Sequence, residues 1–203
     1  LEMPMQRQNS DELAIAELPA TWDECQETTL GRKFLRKIRN YENKLASDHR
    51  LELLHLSYPS ATETSDLLAA VAQVEQRSWL ANDPRGRLRF SGPTEQRFWS
   101  ELIQNWLAPQ NFFDSWLLLA DNQPISFVVA ATVGSTRYVI ANNYDETWSK
   151  YRVGSQLYRQ MFEEGYSRGV TRYDFGTNEL HYKSRWGAKP ADRVESFTVS
   201  VNH

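Results

Sequence analysis

The sequence predicts an α/β chain built on one mixed sheet with helices on its faces, and three observations carry that reading. The apolar patterns run in the order strand, two helices, three strands, helix, strand, irregular segment, strand. The three middle strands are joined by connections of a few residues, which suit antiparallel neighbours. A helical pattern then separates the last of them from the next strand, a spacing that permits a right-handed parallel crossover. With 203 residues, 40% of them apolar, the chain suffices for one ordinary core.

Taken in order, residues 1–30 read as an N-terminal arm or linker, because the first twenty are polar and lack a clear period. The folded domain is expected over residues 31–203. Gly31 to Lys44 holds six basic residues and one acidic, and Phe34, Leu35, Ile38, Tyr41 and Leu45 recur at helical spacing. That is a basic amphipathic helix. Leu51 to Leu56 reads as a short strand. Thr64 or Ser65 is placed to cap a helix through Leu67, Leu68, Val71, Val74 and Trp79. Asn82 to Gly92 is rich in turn formers and arginine and reads as a loop. Pro93 opens a further helix with Phe98, Trp99, Leu102, Ile103 and Trp106 on one face. Strands follow at Ser115 to Ala120, Ile125 to Val133 and Arg137 to Asn143, with turns at Asp121 to Pro124 and at Gly134 to Thr136. A loop from Tyr144 to Val153 leads to a helix from Gly154 to Arg168, and Gly169 is its expected C-cap. Thr171 to Phe175 and Glu195 to Val201 complete the sheet.

Composition excludes several classes. A net charge of −3 gives no bulk attraction for nucleic acid, and the basic helix is the local exception. The single cysteine, Cys25, forms no internal disulfide and suits a reducing, cytoplasmic setting. It lies in an acidic stretch, which disfavours the thiolate, so it reads as inert. The four histidines show no paired metal spacing, and no metal site is expected. There is no G-x-S-x-G, no G-x-x-x-x-G-K-[ST] and no G-x-G-x-x-G. No run of about eighteen apolar residues and no leader pattern is present. The chain starts at Leu1, which suits a piece of a longer protein.

Three segments carry a family resemblance. Val74 to Trp79 reads V-E-Q-R-S-W, and Tyr144 to Leu157 reads Y-D-E-T-W-S-K-Y-R-V-G-S-Q-L. Tyr173 to Gly176 reads Y-D-F-G, followed by Tyr182 to Trp186 as Y-K-S-R-W. In this order they resemble the acetyltransferase family associated with cellulose biosynthesis, which has the GNAT fold and is related to the Fem-type aminoacyltransferases of cell-wall synthesis. The resemblance covers roughly Gly31 to Val201. It implies a GNAT-like acyl-CoA N-acyltransferase fold. It also implies direct transfer of an acyl group, from acetyl-CoA or another acyl-CoA, to an amine or hydroxyl of a small-molecule or polysaccharide-precursor acceptor. The Fem relationship implies a second donor, aminoacyl-tRNA, and a third reading is a non-catalytic GNAT-like module that binds a metabolite or a protein.

The residues add their own chemistry to that expectation. Arg152, Val153, Gly154, Ser155 and Gln156 stand where a loop enters a helix. A helix start has unsatisfied N–H groups and partial positive charge, which suits the phosphates of a CoA-type donor. Against the common Q/R-x-x-G-x-G/A loop, Tyr151 and Gln156 are departures, and the large Gln156 side chain is expected to crowd a pyrophosphate. Asp174 sits beside apolar Tyr173 and Phe175, so its carboxylate needs a partner or a function. Acyl transfer needs a base for the acceptor and an acid for the leaving thiolate. Asp174 or Glu75 is the candidate base and Tyr182 the candidate acid. Trp79, Lys183, Arg185 and Trp186 are the candidate substrate contacts, with Trp186 stacking on a sugar or adenine ring.

Overall fold

The computed structural model describes residues 5–82, 88–177 and 180–199. Seven strands form one sheet: β1 (Met5–Glu17), β2 (Leu51–Leu56), β3 (Phe113–Ala120), β4 (Gln123–Val133), β5 (Thr136–Tyr144), β6 (Arg172–Asp174) and β7 (Lys189–Val199). Their order across the sheet is β2-β3-β4-β5-β6-β1-β7. The helices are α1 (Trp22–Glu24), α2 (Arg32–Asp48), α3 (Ala61–Gln76), α4 (Pro93–Leu102), α5 (Val153–Ser167) and α6 (Leu180–Lys183).

Strands β2 to β5 form the expected antiparallel meander. The turn between β3 and β4 is tighter than expected. Asp121 and Asn122 both have positive φ, 51° and 65°, as a two-residue hairpin requires, and both side chains tolerate it. Pro124 therefore lies inside β4, next to a register irregularity at Leu118/Leu119. Helix α5 then crosses over, and β6 pairs parallel with β5, Thr136 opposite Arg172. Gly169 at φ 72° follows the end of α5 as expected.

The continuous apolar run of β4 is explained by burial on both faces. Val128 and Ala130 point into a core completed by Leu35, Ile38 and Leu45 of α2 and by Leu157, Met161 and Phe162 of α5. Phe127 and Val129 point the other way, against Leu67, Val71 and Val74 of α3 and Trp99. The basic helix α2 thus packs on the sheet through its apolar stripe and turns its cations outward.

Two expectations are corrected. Helix α3 starts ahead of Thr64, because Ser60 and Glu63 form a reciprocal capping box. The N-terminal lead-in is no free arm. Its β1 is an interior strand, with Ile15 opposite both Asp174 of β6 and Lys189 of β7. Beyond β6, β1 and β7 continue as a two-stranded ribbon, and β7 begins at Lys189, ahead of the expected Glu195. Ser200 and Val201 of the expected strand, and residues 83–87 of the arginine-rich loop, lie outside the described residues. Among the described residues, no helix is long and apolar enough to cross a membrane.

Candidate active site

Strands β5 and β6 pair only over Thr136–Tyr138. Past that point they separate, and a cavity of about 630 Å³ opens beside Val139 to Asn143 of β5. Ile140 is an extra residue there. Val129 faces Ala141 and Ala130 faces Val139, so Ile140 forms a bulge in the β4–β5 ladder. A bulge re-aims backbone groups, here at the cavity wall.

Glu75, near the C-terminal end of α3, lines this cavity and is 1% exposed. Its oxygens accept from Arg89 N (2.8 Å), Phe90 N (2.9 Å) and Ser91 Oγ (3.1 Å). Arg89 in turn donates Nη1 to the Ile140 carbonyl (2.9 Å), while its own carbonyl accepts from Trp99 Nε1 (2.9 Å). Glu75 therefore ties the segment before α4 over the bulge. Glu95, the other carboxylate of the lining, has no hydrogen-bond donor among the described residues.

On the opposite wall stand Phe175 and Thr177, after β6, and Tyr182 and Lys183 of α6. The Tyr182 hydroxyl donates to Asn142 Oδ1 (3.3 Å). Lys183 is 5% exposed and donates Nζ to the Thr177 carbonyl (2.7 Å). Trp79 stands at the rim, 50% exposed.

Helix α5 starts beside Tyr144, at the same C-terminal end of β5 as the cavity. A Cβ on Gly154 would come 3.3 Å from the Tyr144 ring, which closes β5. The left-handed residue is Arg152 (φ 56°), and Gly154 has no positive φ, so its glycine serves close approach. Gln156 does not crowd the helix start. Its Nε2 turns back to donate to the Tyr151 carbonyl (2.9 Å), and it is 3% exposed. Val153 is fully buried, while Gly154 and Ser155 are partly accessible. Asp145 of the second motif is a cap: Oδ1 accepts from Thr147 N (3.0 Å), and Oδ2 meets Arg77 Nε (3.0 Å).

The structure thus brings Glu75, Trp79, Tyr182 and Lys183 together around one cavity. Besides Arg152, Val153, Gly154, Ser155 and Gln156 at the start of α5, three sequence candidates stand apart from that lining. Asp174 accepts from Gly176 N (2.7 Å) as a turn cap at the end of β6. Arg185 is exposed. Trp186 is 3% exposed, its ring packed against Phe34, Tyr158 and Phe162 at 5.2–5.4 Å between centroids, so no sugar or adenine reaches it. Asn142, Asn143, Arg89 and Glu95 line the cavity without having been singled out. Two adjacent amides after the apolar run Tyr138 to Ala141 were the readable signal.

A second polar cluster lies outside the lining. His55, Asp114 and Glu164 place ligand-type atoms within 4.8 Å of one another. Two guanidinium groups already stand among them: Arg168 Nη1 lies 2.6 Å from Asp114 Oδ1, and Arg137 Nη1 lies 2.7 Å from Glu164 Oε2. The cations there are arginines. Burial alone would raise the Asp114 pKa; hydrogen bonds from His55 and Thr132 and the charges of Arg137 and Arg168 outweigh it and hold the carboxyl below its usual range. Burial pushes the Cys25 thiol up, and it stays a buried thiol.

The chain's residues 32–184 match the family model described as Acetyltransferase (GNAT) domain. No curated protein sequence matches the chain. Solved structures of similar fold include FemX, at TM-score 0.64 and 11% identity, covering 94% of this chain and 65% of that one. L-PGS from Bacillus licheniformis is similar at TM-score 0.54 and 14% identity, covering 96% of this chain and 60% of that one. A GCN5-related glucosamine N-acetyltransferase region of a fungal multi-domain GH3 β-N-acetylglucosaminidase is similar at TM-score 0.56 and 12% identity, covering 95% and 21%. The chain spans 60–65% of the length of L-PGS and FemX. The match spans most of the chain, and the mixed sheet with helices on its faces agrees with it: the chain belongs to the GNAT acetyltransferase-domain family.

Proposed function

We propose that the domain transfers an acyl group, acetyl in the simplest case, from acyl-CoA to an amine or hydroxyl of an acceptor held in the cavity beside β5. One observation carries the reading: β5 and β6 separate past Tyr138 and open that cavity on the same end of β5 as the start of α5. The residues present fit such a donor. The helix start offers the Gly154 N–H, while Ser155 N already donates to the Arg152 carbonyl (2.9 Å); the Gln156 side chain is folded away, and Arg152 and Lys150 bring positive charge. The bound thioester supplies an activated carbonyl carbon and a thiolate leaving group.

This chain's residues do the rest. Tyr182 holds a proton at the cavity wall and gives it to the leaving sulfur. Glu95 takes the acceptor's proton, since Glu75 is already engaged by three donors. Backbone groups at the Ile140 bulge orient the reacting carbonyl. Lys183 holds the segment after β6 in place through Thr177. The half-exposed rings of Trp79 and Tyr182, with the Asn142 and Asn143 amides, suit a sugar-like acceptor. The motif resemblance to cellulose-biosynthesis acetyltransferases supports a polysaccharide precursor in that place.

The test is thiol release from acetyl-CoA with a panel of amino sugars and simple amines, alongside calorimetry with acetyl-CoA. The reading predicts binding below millimolar concentration and loss of binding in folded Gly154→Val. A parent that binds no acetyl-CoA would overturn it. A second reading, transfer from aminoacyl-tRNA, is favoured by the outward cations Arg32, Lys33, Arg36, Lys37 and Arg39 of α2. A gel shift with charged tRNA that falls steeply with salt would select it.

A further inference from the structure

Tyr158 of α5 is 2% exposed, and its hydroxyl has no hydrogen-bond partner among the described residues. A buried hydroxyl left in that state costs about 1–3 kcal/mol, and a phenylalanine would fill the same space without the cost. Its ring packs against Trp186 (5.3 Å between centroids), Phe175 (5.9 Å) and, edge-on, Tyr182 (6.3 Å). Phe175 and Tyr182 line the cavity, so the Tyr158 ring packs directly behind its wall. Burial first, and then the nearby Tyr182 hydroxyl, push the Tyr158 pKa well above its ordinary value. Tyr158 therefore stays protonated and acts as a donor.

We infer that Tyr158 is a positioning residue for Tyr182, its O–H donating to the Tyr182 oxygen when that oxygen gives up its proton. The inference rests on the reading of Tyr182 as the acid. In the parent structure the Tyr182 hydroxyl donates to Asn142 Oδ1, and a phenolate oxygen accepts several hydrogen bonds at once. During transfer the acceptor's nitrogen or oxygen forms a bond to the carbonyl carbon and yields its proton to Glu95. The carbon–sulfur bond breaks with its electron pair going to sulfur. Tyr182 supplies the proton that makes the free thiol and becomes a phenolate. The Tyr158 O–H holds that phenolate until solvent returns a proton, which the 41% exposure of Tyr182 permits. A buried donor beside the phenolate lowers the cost of forming it.

The experiment compares the whole chain with Tyr158→Phe and Tyr182→Phe. Tyrosinate ultraviolet absorbance is titrated in each, the Tyr182 contribution being the difference from Tyr182→Phe. In Tyr158→Phe the Tyr182 ionisation should move up by about one to two pH units, the effect of one lost hydrogen bond to a charged group. The melting temperature should be unchanged or higher, because the lost hydroxyl has no partner. In the acyl-transfer assay kcat should fall about tenfold to a hundredfold with KM unchanged. An unmoved Tyr182 titration would overturn the inference, as would a marked loss of stability, which would make the hydroxyl structural. A shifted titration in a protein that transfers no acyl group would keep the positioning and sink the acid role assigned under the proposed function.

Discussion

Strands β2 to β5 pair antiparallel in chain order along most of their lengths, and the central two, β3 and β4, bury both faces. Strands β6, β1 and β7 come from opposite ends of the chain, and β6 touches each neighbour over three residues, Thr136–Tyr138 on one side and Ile15–Glu17 on the other. The first half is a scaffold of local pairings. The second is a thin joint, and the cavity opens where the two meet. The comparison teaches that the site depends on an incomplete ladder: a longer β6 would close the space that the cavity occupies.

The largest expected effect comes from removing residues 5–17. β7 would lose its sheet partner, and β6 would become an edge. The shortened chain should lose cooperative thermal unfolding; calorimetry showing a melt like the parent's would mean the meander half alone carries stability.

Next in size is Arg137→Ala. Arg137 is fully buried on β5, and it bonds Asp114 of β3, Glu164 of α5 and the Met161 carbonyl, with its head 5.9 Å from the Tyr173 ring of β6. It pins the halves together. Removing it takes one of two guanidinium partners from the buried Asp114 and leaves the Met161 carbonyl one donor short, at a cost of about 3–5 kcal/mol in urea unfolding. A loss under about 1 kcal/mol would show the joint is held by packing alone.

The same cluster has a pH signature. Asp114 has a folded pKa below its unfolded value of about 3.9. Its contribution is thus present above about pH 4 and lost as pH falls through the lower folded value. Asp114→Asn should flatten the fall in stability over that acid range, read by urea midpoints. An unchanged slope would assign acid unfolding to other carboxylates.

The smallest effects separate backbone from side chain at the crossover. Arg152→Ala should weaken acyl-CoA binding about tenfold to a hundredfold, roughly 1.5–3 kcal/mol, for one charge-assisted contact. Arg152→Gly should weaken it as much while raising stability by about 0.5–1 kcal/mol, because glycine relieves the left-handed backbone at φ 56°. Calorimetry and melting on both variants check this; equal binding to the parent would remove the Arg152 side chain from the donor site.

Periodicity made the meander, α2, α5 and the crossover legible, because each buries a stripe or a whole run of apolar residues. β1 was not legible. Among its described side chains Ala14, Ile15 and Ala16 are deeply buried, and its ribbon partner β7 is exposed from Lys189 to Glu195; the polar run Gln6 to Glu12 gives no alternation to announce a strand. Within the site, Glu75, Trp79, Tyr182 and Lys183 were readable as residues, but their meeting was not, since it depends on where β6 stops. Asp174 and Trp186 looked functional because a carboxylate and a large ring sit in the same motif. One caps a turn, and the other fills the core. Local sequence does not distinguish a polar group satisfied by its own turn from one aimed at a ligand.

The place of β1 between β6 and β7 also sets an order of events in time. Met5 pairs with Val199, so the described chain's first strand finds its partner in the last. The meander can form by short loop closures, whereas the ribbon must wait until nearly the whole chain is present. Of the described strands, β1 would emerge before the others during synthesis and stay unpaired longest. Its polar sequence, Gln6 to Glu12, is then suited to waiting: a strand without an apolar face exposes little that could aggregate before its partner arrives.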